Sequence, residues 1–314
     1  MKHRHSSLAL VAVAAILAAG CEKETNITVD NTPVAARITS TIDAMTTRAS
    51  GTTWAVGDAI GITTETTGQT RYTNIKYIAT TPEGYFYPTG NLPKDTIFFW
   101  DNVEVTFNAY YPYVGKNGEV PGTNGVLTKI ITATDQTKEG QPKIDYLFAT
   151  ATIKGLDNYE VKLPFKHHMS RIVLNFVAYN GMVSLNDFTY TVTRFPLEGT
   201  FNTTTGETKG TKTGDLNDLP LTVPSGATTI SSTLIVFPME MSATPTHFSI
   251  LMNNRVYKGK LNFPQYPDNS KLYGFRPGYS YSYNVRVSNN KLTINLADIE
   301  NWEESNGGNV YINN

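Results

Sequence analysis

Residues Val34-Ala35-Ala36-Arg37-Ile38-Thr39-Ser40-Thr41-Ile42 form the stretch that decides the fold. Its even positions are apolar or small, and its odd positions are mostly polar. Side chains of a β-strand point alternately to opposite faces, so this period of two predicts a strand with one buried face. A sheet must therefore lie close to the start of the chain.

The composition outside this stretch predicts an all-β protein. The chain of 314 residues holds 18 Tyr and 14 Phe, while 24 Gly and 16 Pro divide it into short pieces. Aromatic residues fit a half-buried pleated surface, and no long segment carries apolar residues at helical spacing. Many short strands separated by turns predict a β-sandwich or barrel. The net charge of −1 gives no reason to expect a nucleic-acid partner.

The second half contains a change of register. Apolar residues occupy odd positions from Val161 to Phe165 and even positions from Ile172 to Phe176. A shift of one residue turns every side chain to the other face, so we expect a β-bulge or a switch between sheets near Ser170. Further on, Asn253-Asn254 and Ser288–Asn290 are hairpin signals.

The first residues resemble a bacterial export signal. Basic residues 2–5 precede an apolar run from Leu8 to Ala19, which is too short to span a bilayer comfortably. Ala18-Ala19-Gly20-Cys21 resembles a lipobox, and Cys21 is the single cysteine of the chain. We expect residues 1–20 to be a lipoprotein signal peptide and Cys21 to carry the acyl chains, palmitate among them. The alternative is a plain signal peptide with an incidental cysteine.

Five segments in this order resemble the fimbrillin-like (Mfa-like) family of Bacteroidales surface lipoproteins, the type V pilins. The segments, which run through nearly the whole chain, are the lipobox ending at Cys21, Trp54 to Gly61, Tyr110-Tyr-Pro-Tyr113, Phe165-Lys-His-His-Met-Ser170 and Ile299-Glu-Asn-Trp302. The resemblance implies two tandem transthyretin-like β-sandwich domains, and we place them at residues 49–160 and 161–314. It also implies a fimbrial subunit or a tip or accessory protein without enzymatic activity or cofactor, which acts in adhesion and biofilm formation.

The same family assembles by donor-strand exchange after a protease cuts behind an arginine. Arg48 follows the first strand in a polar segment, where proteolysis is easiest. Residues 21–48 would then be a tether and a removable strand, whose apolar face is carried by Val34, Ala36, Ile38 and Ile42. The resemblance implies other pilin subunits as partners, in a homo- or hetero-polymer. It implies a lipid anchor in the outer membrane, a surface-exposed location in the fimbrium, and host or bacterial surface ligands.

Two alternatives to this assignment stay open. The first strand can be an ordinary strand and Arg48 an ordinary loop residue. The residues after Trp302 offer only Val310-Tyr-Ile312 as a short strand of their own, so a tip or accessory subunit that donates no strand competes with a stalk subunit.

Other chemistry receives little support from the sequence. Neighbouring residues of a strand point to opposite faces, so we expect one of His167 and His168 to be packed, the other solvated, and no metal site. No phosphate-binding loop or nucleophile elbow is present. Asp95-Thr96-Ile97 matches the short Asp-Ser/Thr-apolar pattern that is glycosylated on exported Bacteroidales proteins. Thr96 is therefore a candidate O-glycosylation site.

The alternative function is a cell-surface glycan-binding lipoprotein. Exposed aromatic residues stack on sugar rings, and the stretch Phe98-Phe-Trp100 is the strongest candidate for such a surface. We expect the other two tryptophans, Trp54 and Trp302, to be core residues, because tryptophan is highly buried on average.

Overall fold

The computed structural model describes residues 32–42, 53–66, 70–90, 94–100, 103–154, 159–266 and 269–302. Within these ranges the protein consists of β-strands, turns and one short 3-10 helix, Gln141–Lys143. The all-β prediction is confirmed. No helix among the residues described is both long and apolar enough to cross a membrane.

Seven of the ten strands described in the first half form a closed sheet. The ten strands are β1 (Val34–Ala35), β2 (Arg37–Ile42), β3 (Ala59–Thr66), β4 (Ile75–Ala79), β5 (Tyr85–Pro88), β6 (Phe98–Phe99), β7 (Val105–Tyr111), β8 (Val126–Ile131), β9 (Leu147–Ile153) and β10 (Glu160–His167). The closed sheet has the strand order β10-β2-β5-β4-β3-β7-β9, and β1 pairs separately with β6. Closure buries one face of every strand, which explains the period-two burial along β2, β4 and β10.

The strands of the second half form layered sheets. They are β11 (Ser170–Ala178), β12 (Phe188–Asn202), β13 (Thr208–Leu221), β14 (Thr229–Val236), β15 (Met239–Met241), β16 (Thr246–Met252), β17 (Arg255–Leu261), β18 (Gln265–Tyr266), β19 (Asn269–Phe275), β20 (Tyr279–Val287) and β21 (Leu292–Asn301). One sheet has the order β14-β11-β20-β21 and a second has β13-β12-β16-β17, with β8 of the first half paired to β12. A small sheet, β15-β19-β18, completes the arrangement.

The chain changes sheets between β10 and β11. β10 pairs with β2 and β9 in the closed sheet, whereas β11, beginning at Ser170, pairs with β14 and β20. The expected switch near Ser170 is therefore confirmed, and its physical reason is the burial of opposite strand faces in two different cores. The hairpin signals are confirmed too, since Asn253 and Asn254 connect β16 to β17 with φ of 53° and 59°, and β20 pairs with β21 across residues 288–290.

The described residues contain three apolar clusters. One lies inside the closed sheet, and a second lies between the sheets of the second half. The third joins residues of both halves, including Tyr110, Phe148, Phe201 and Trp302. Because β10 starts at Glu160 and belongs to the closed sheet, residues 160–167 complete the first core. The division into two domains at residue 160 stays a prediction.

Candidate functional site

The N-terminal strand β2 lies between β10 and β5 in the closed sheet. It runs parallel to β10, with Arg37 opposite Glu160 and Ile42 opposite Phe165. On its other side it runs antiparallel to β5, with Ile38 opposite Phe86. Both neighbours therefore depend on an N-terminal segment for part of their backbone pairing.

The predicted apolar row of this segment faces the core. Ile38 is 2% exposed, and Ala36, Ser40 and Ile42 are also buried, while Val34 is half-buried. Alternate residues such as Arg37 and Thr41 are exposed. The structure thus brings together three of the four expected residues, Ala36, Ile38 and Ile42, in the core of the closed sheet, while Val34 lies at its edge in β1.

A second set of bonds holds the start of the segment. β1 pairs antiparallel with β6, where Val34 lies opposite Phe99. The backbone N–H of Ala36 donates to the carbonyl oxygen of Ile97 at 2.9 Å. The segment is consequently bound to β6 and to the residue before it, in addition to its pairing within the closed sheet.

Trp54 packs in the core at the far end of β2. It is 4% exposed, and its ring makes edge contacts with Phe86, Tyr111 and Phe165 at centroid distances of 5.0, 5.4 and 5.2 Å. The Tyr111 hydroxyl donates to Oδ1 of Asp58 at 3.2 Å, and burial raises the pKa of Tyr111. Trp54 is a core residue, as expected, and it links β5, β7 and β10.

Two cavities adjoin the same segment. The larger, of about 1130 Å³, is lined by residues 34–39 together with Tyr85, Tyr87, Phe98 and Glu160, among others. The smaller, of about 300 Å³, is lined by residues 40–42 with Trp54, Pro82 and Glu83, among others. The segment therefore leaves space beside it at both of its ends.

The outer face of the segment combines charge and aromatic surface. Thr39 donates its hydroxyl hydrogen to Oε1 of Glu160 at 3.1 Å. Tyr85 and Tyr87 of β5 are 51% and 60% exposed, and Tyr85 lies opposite Thr39. The sequence reasoning missed Glu160 and these two tyrosines, because residues of separate strands become neighbours only through the register of the sheet.

The remaining predicted site residues have different outcomes. Cys21 and Arg48 lie outside the residues that the structure describes, so lipidation and cleavage there stay predictions. Thr96 is 6% exposed and lines the larger cavity. Glycosylation of Thr96 stays a prediction.

The stretch proposed for glycan binding is largely packed. Phe99 is buried in the closed sheet, while Phe98 and Trp100 are half-buried. The third tryptophan, Trp302, is buried as expected and belongs to the cluster joining both halves. Three coplanar exposed rings are therefore not found at residues 98–100.

The two histidines pack in different ways. His167 is buried, stacks on Trp302 with ring centroids 4.0 Å apart, and lies 3.0 Å from Asp145. His168 is half-buried rather than solvated, because its ring packs edge-on against Phe148, and burial lowers its pKa. Among the residues described, no group of three or more histidine, cysteine or acidic side chains could hold a metal ion.

Comparisons with known proteins give a consistent result. The model of a family described as fimbrillin-like matches residues 47–302. Fim1C of Bacteroides uniformis, named as a candidate fimbrium subunit, is 25% identical over 97% of both chains.

Solved structures extend the comparison. A candidate cell adhesion protein from Bacteroides ovatus is 31% identical over 86% of this chain and 98% of its own, with a TM-score of 0.74. One from Bacteroides uniformis shares the fold at 21% identity and a TM-score of 0.64, over 86% of this chain and 98% of its own. Since the family model matches residues 47–302, well over half of the sequence, this chain belongs to the fimbrillin-like family.

Proposed function

We propose that this protein is a subunit, or a tip or accessory protein, of a fimbrium at the cell surface, and that it joins other subunits by donor-strand exchange. The observation that carries the proposal is the pairing of β2 on both of its edges. This N-terminal segment lies between β10 and β5 and completes a closed sheet. The relatives named for fimbria and cell adhesion support an adhesive role, here extended to biofilm formation.

Removal of the segment would leave an open slot. β5 and β10 would each lose a partner strand, and unpaired strand edges bind another strand readily. The buried row with Ala36, Ile38 and Ile42 would leave apolar surface behind. At roughly 1.5–3 kcal/mol for each of the two isoleucines, this loss amounts to about 3–6 kcal/mol. A strand of the next subunit can restore both terms.

The resulting contact is directional. One subunit accepts a strand in its slot while another supplies it, so the two surfaces differ. Head-to-tail contacts of this kind extend into a filament when the rotation does not close. A stalk subunit would accept and donate, whereas a tip or accessory subunit would only accept.

Export and maturation complete the proposal. Acylation of Cys21 would anchor the precursor in the outer membrane, and cleavage behind Arg48 would release residues 21–48. Nothing in this scheme requires enzymatic chemistry from the protein itself. Its role is structural, as the names of its relatives suggest.

The experiment is N-terminal sequencing of protein sheared from the cell surface, alongside electron microscopy of the same material. We expect a start at Ala49 in filaments and no such product from an Arg48→Gln variant. Arg71, which lies in a polar stretch that the structure describes, offers the matched control, because Arg71→Gln should leave processing unchanged. An acylated Cys21 start in all material would contradict maturation at Arg48.

A second candidate function, glycan binding, rests on Tyr85 and Tyr87. Their exposed rings border the larger cavity, and aromatic faces stack on sugars. Isothermal titration with host and plant polysaccharides tests it. Heat that disappears in a Tyr85→Ala, Tyr87→Ala double variant would favour this function, and flat traces for the native protein would remove it.

A further inference from the structure

The N-terminal segment fits its slot incompletely at the end that faces Trp54. The indole Nε1 of Trp54 and the Oγ of Ser40 are both buried, and neither has a hydrogen-bond partner among the residues that the structure describes. The cavity of about 300 Å³ is lined by both side chains. A buried donor without a partner costs about 1–3 kcal/mol of folding free energy, and the chain's own strand β2, the resident strand, does not compensate for this cost.

Ser40 and Trp54 converge beside Gly84. A Cβ placed on Gly84 would lie 3.0 Å from Ser40 Oγ and 3.0 Å from Trp54 Cδ1, the carbon bonded to Nε1. The backbone N–H of Ser40 donates to the Gly84 carbonyl oxygen at 2.9 Å, which sets the position of the strand. Ser40 Oγ and Trp54 Cδ1 therefore lie no farther apart than the sum of these two distances, a gap that a side chain longer than serine at position 40 shortens.

The other end shows the same misfit. The Oγ1 of Thr96 is buried and has no partner within the described ranges, and Thr96 lines the cavity of about 1130 Å³ along residues 34–39. Ala36 is the smallest side chain of the inward row. Unfilled space and unpaired polar atoms thus occur at both ends of one segment.

The outer face adds a charge requirement. Glu160 of β10 lies opposite Arg37 and accepts a hydrogen bond from Thr39. A strand in this slot is consequently favoured when it places a cation or a hydroxyl donor beside Glu160.

We propose that the slot is built for a strand of another fimbrial subunit that carries a side-chain amide where this chain has Ser40, and that the resident strand is a replaceable occupant. The amide oxygen would accept from Trp54 Nε1–H. Asparagine carries this oxygen one bond further from the backbone than the serine hydroxyl. This inference rests on the proposed strand exchange and names the chemistry of the partner.

The test compares three full-length chains: native, Ser40→Asn and Ser40→Leu. Leucine is the matched control, because it has the branching of asparagine without hydrogen-bonding atoms. We expect the asparagine variant to melt about 2–4 °C above the native protein and above the leucine variant. The indole N–H resonance of Trp54, assigned with Trp54→Phe, should shift and exchange more slowly with solvent in the asparagine variant alone.

Polymer growth after proteolytic cleavage separates this inference from the proposed function. The resident strand of the Ser40→Asn variant should leave the slot more slowly than the native strand. The rate of filament formation should therefore fall severalfold relative to the native protein. Equal melting of the asparagine and leucine variants with an unchanged indole signal would overturn the amide inference and leave strand exchange standing. Failure of every cleaved variant to join any fimbrial subunit would instead contradict strand exchange, while the melting temperature and the indole signal would still test the amide inference.

Discussion

The slot around β2 and the core between the sheets of the second half differ in how completely they are filled. In the second-half core, Phe176 contacts Phe188, Tyr190 and Phe248 at centroid distances of 4.8, 5.3 and 6.2 Å. The Tyr190 hydroxyl is paired with Ser232 at 2.7 Å. Around β2, by contrast, cavities adjoin both ends, and among the described residues Ser40, Trp54 and Thr96 each have a buried polar atom without a partner, whereas in the second half only Asn284 does.

This difference separates a permanent core from a replaceable contact. Protein interiors pack closely, and each unfilled volume or unpaired polar group lowers the free energy of unfolding. A poorly filled segment opens at lower cost than the rest of the fold. The second half can therefore remain folded while the N-terminal segment leaves.

The largest effect is expected from Phe176→Ala in the filled core. Removal of this fully buried ring should lower the free energy of unfolding by about 3–5 kcal/mol. Urea denaturation measures it, with the exposed Val183→Ala as control. A loss below 1 kcal/mol would mean that the second core is as loosely packed as the slot.

The next effect is expected from Ile38→Ala in the N-terminal segment. The loss should be about 2–5 kcal/mol, but confined to the closed sheet, since Ile38 packs only in that cluster. Hydrogen exchange should accelerate in β2, β5 and β10 and stay unchanged in β11 and β20. Thr41→Ala, on the exposed face, is the control. Equal acceleration in both halves would contradict a separable slot.

A pair of glycines sharpens the comparison further. Gly84 and Gly226 have φ of +84° and +76°, so alanine is strained at both positions. At Gly84 the added Cβ would also lie 2.2 Å from the carbonyl oxygen of Ser40, whereas at Gly226 it would meet nothing within 4 Å. We expect Gly84→Ala to cost about 1–3 kcal/mol more than Gly226→Ala in thermal unfolding. Equal costs would show that β2 adjusts freely at Ser40.

The smallest effect concerns pH and His168, near the junction of β10 and β11. Burial lowers its pKa below the ordinary value of 6.5, so the unfolded chain binds this proton more readily than the folded chain. Its contribution to stability is therefore complete above pH 6.5 and declines as the pH falls below that value. Thermal unfolding at pH 7.5 and 5.0 should show this decline, and His168→Gln should reduce it. An unchanged difference would assign the decline to other groups.

Local patterns predicted much of the fold. Alternation identified β2 as a strand with its buried face, and the shift of apolar residues from odd to even positions located the change of sheets near Ser170. These predictions succeeded because burial of one strand face leaves a period of two in the sequence. The expectation of a solvated His168 was wrong, because a tertiary contact with Phe148 decides its exposure.

The sequence by itself determined the all-β class, the strand faces, the paired hairpins and the family. Only the tertiary structure decided that β2 lies between β5 and β10, that Glu160 faces Arg37, and that Trp54 and Ser40 share a cavity. The physical reason is range. Alternation and turns are properties of neighbouring residues, whereas strand order, cavities and unpaired atoms arise where residues far apart in the chain meet.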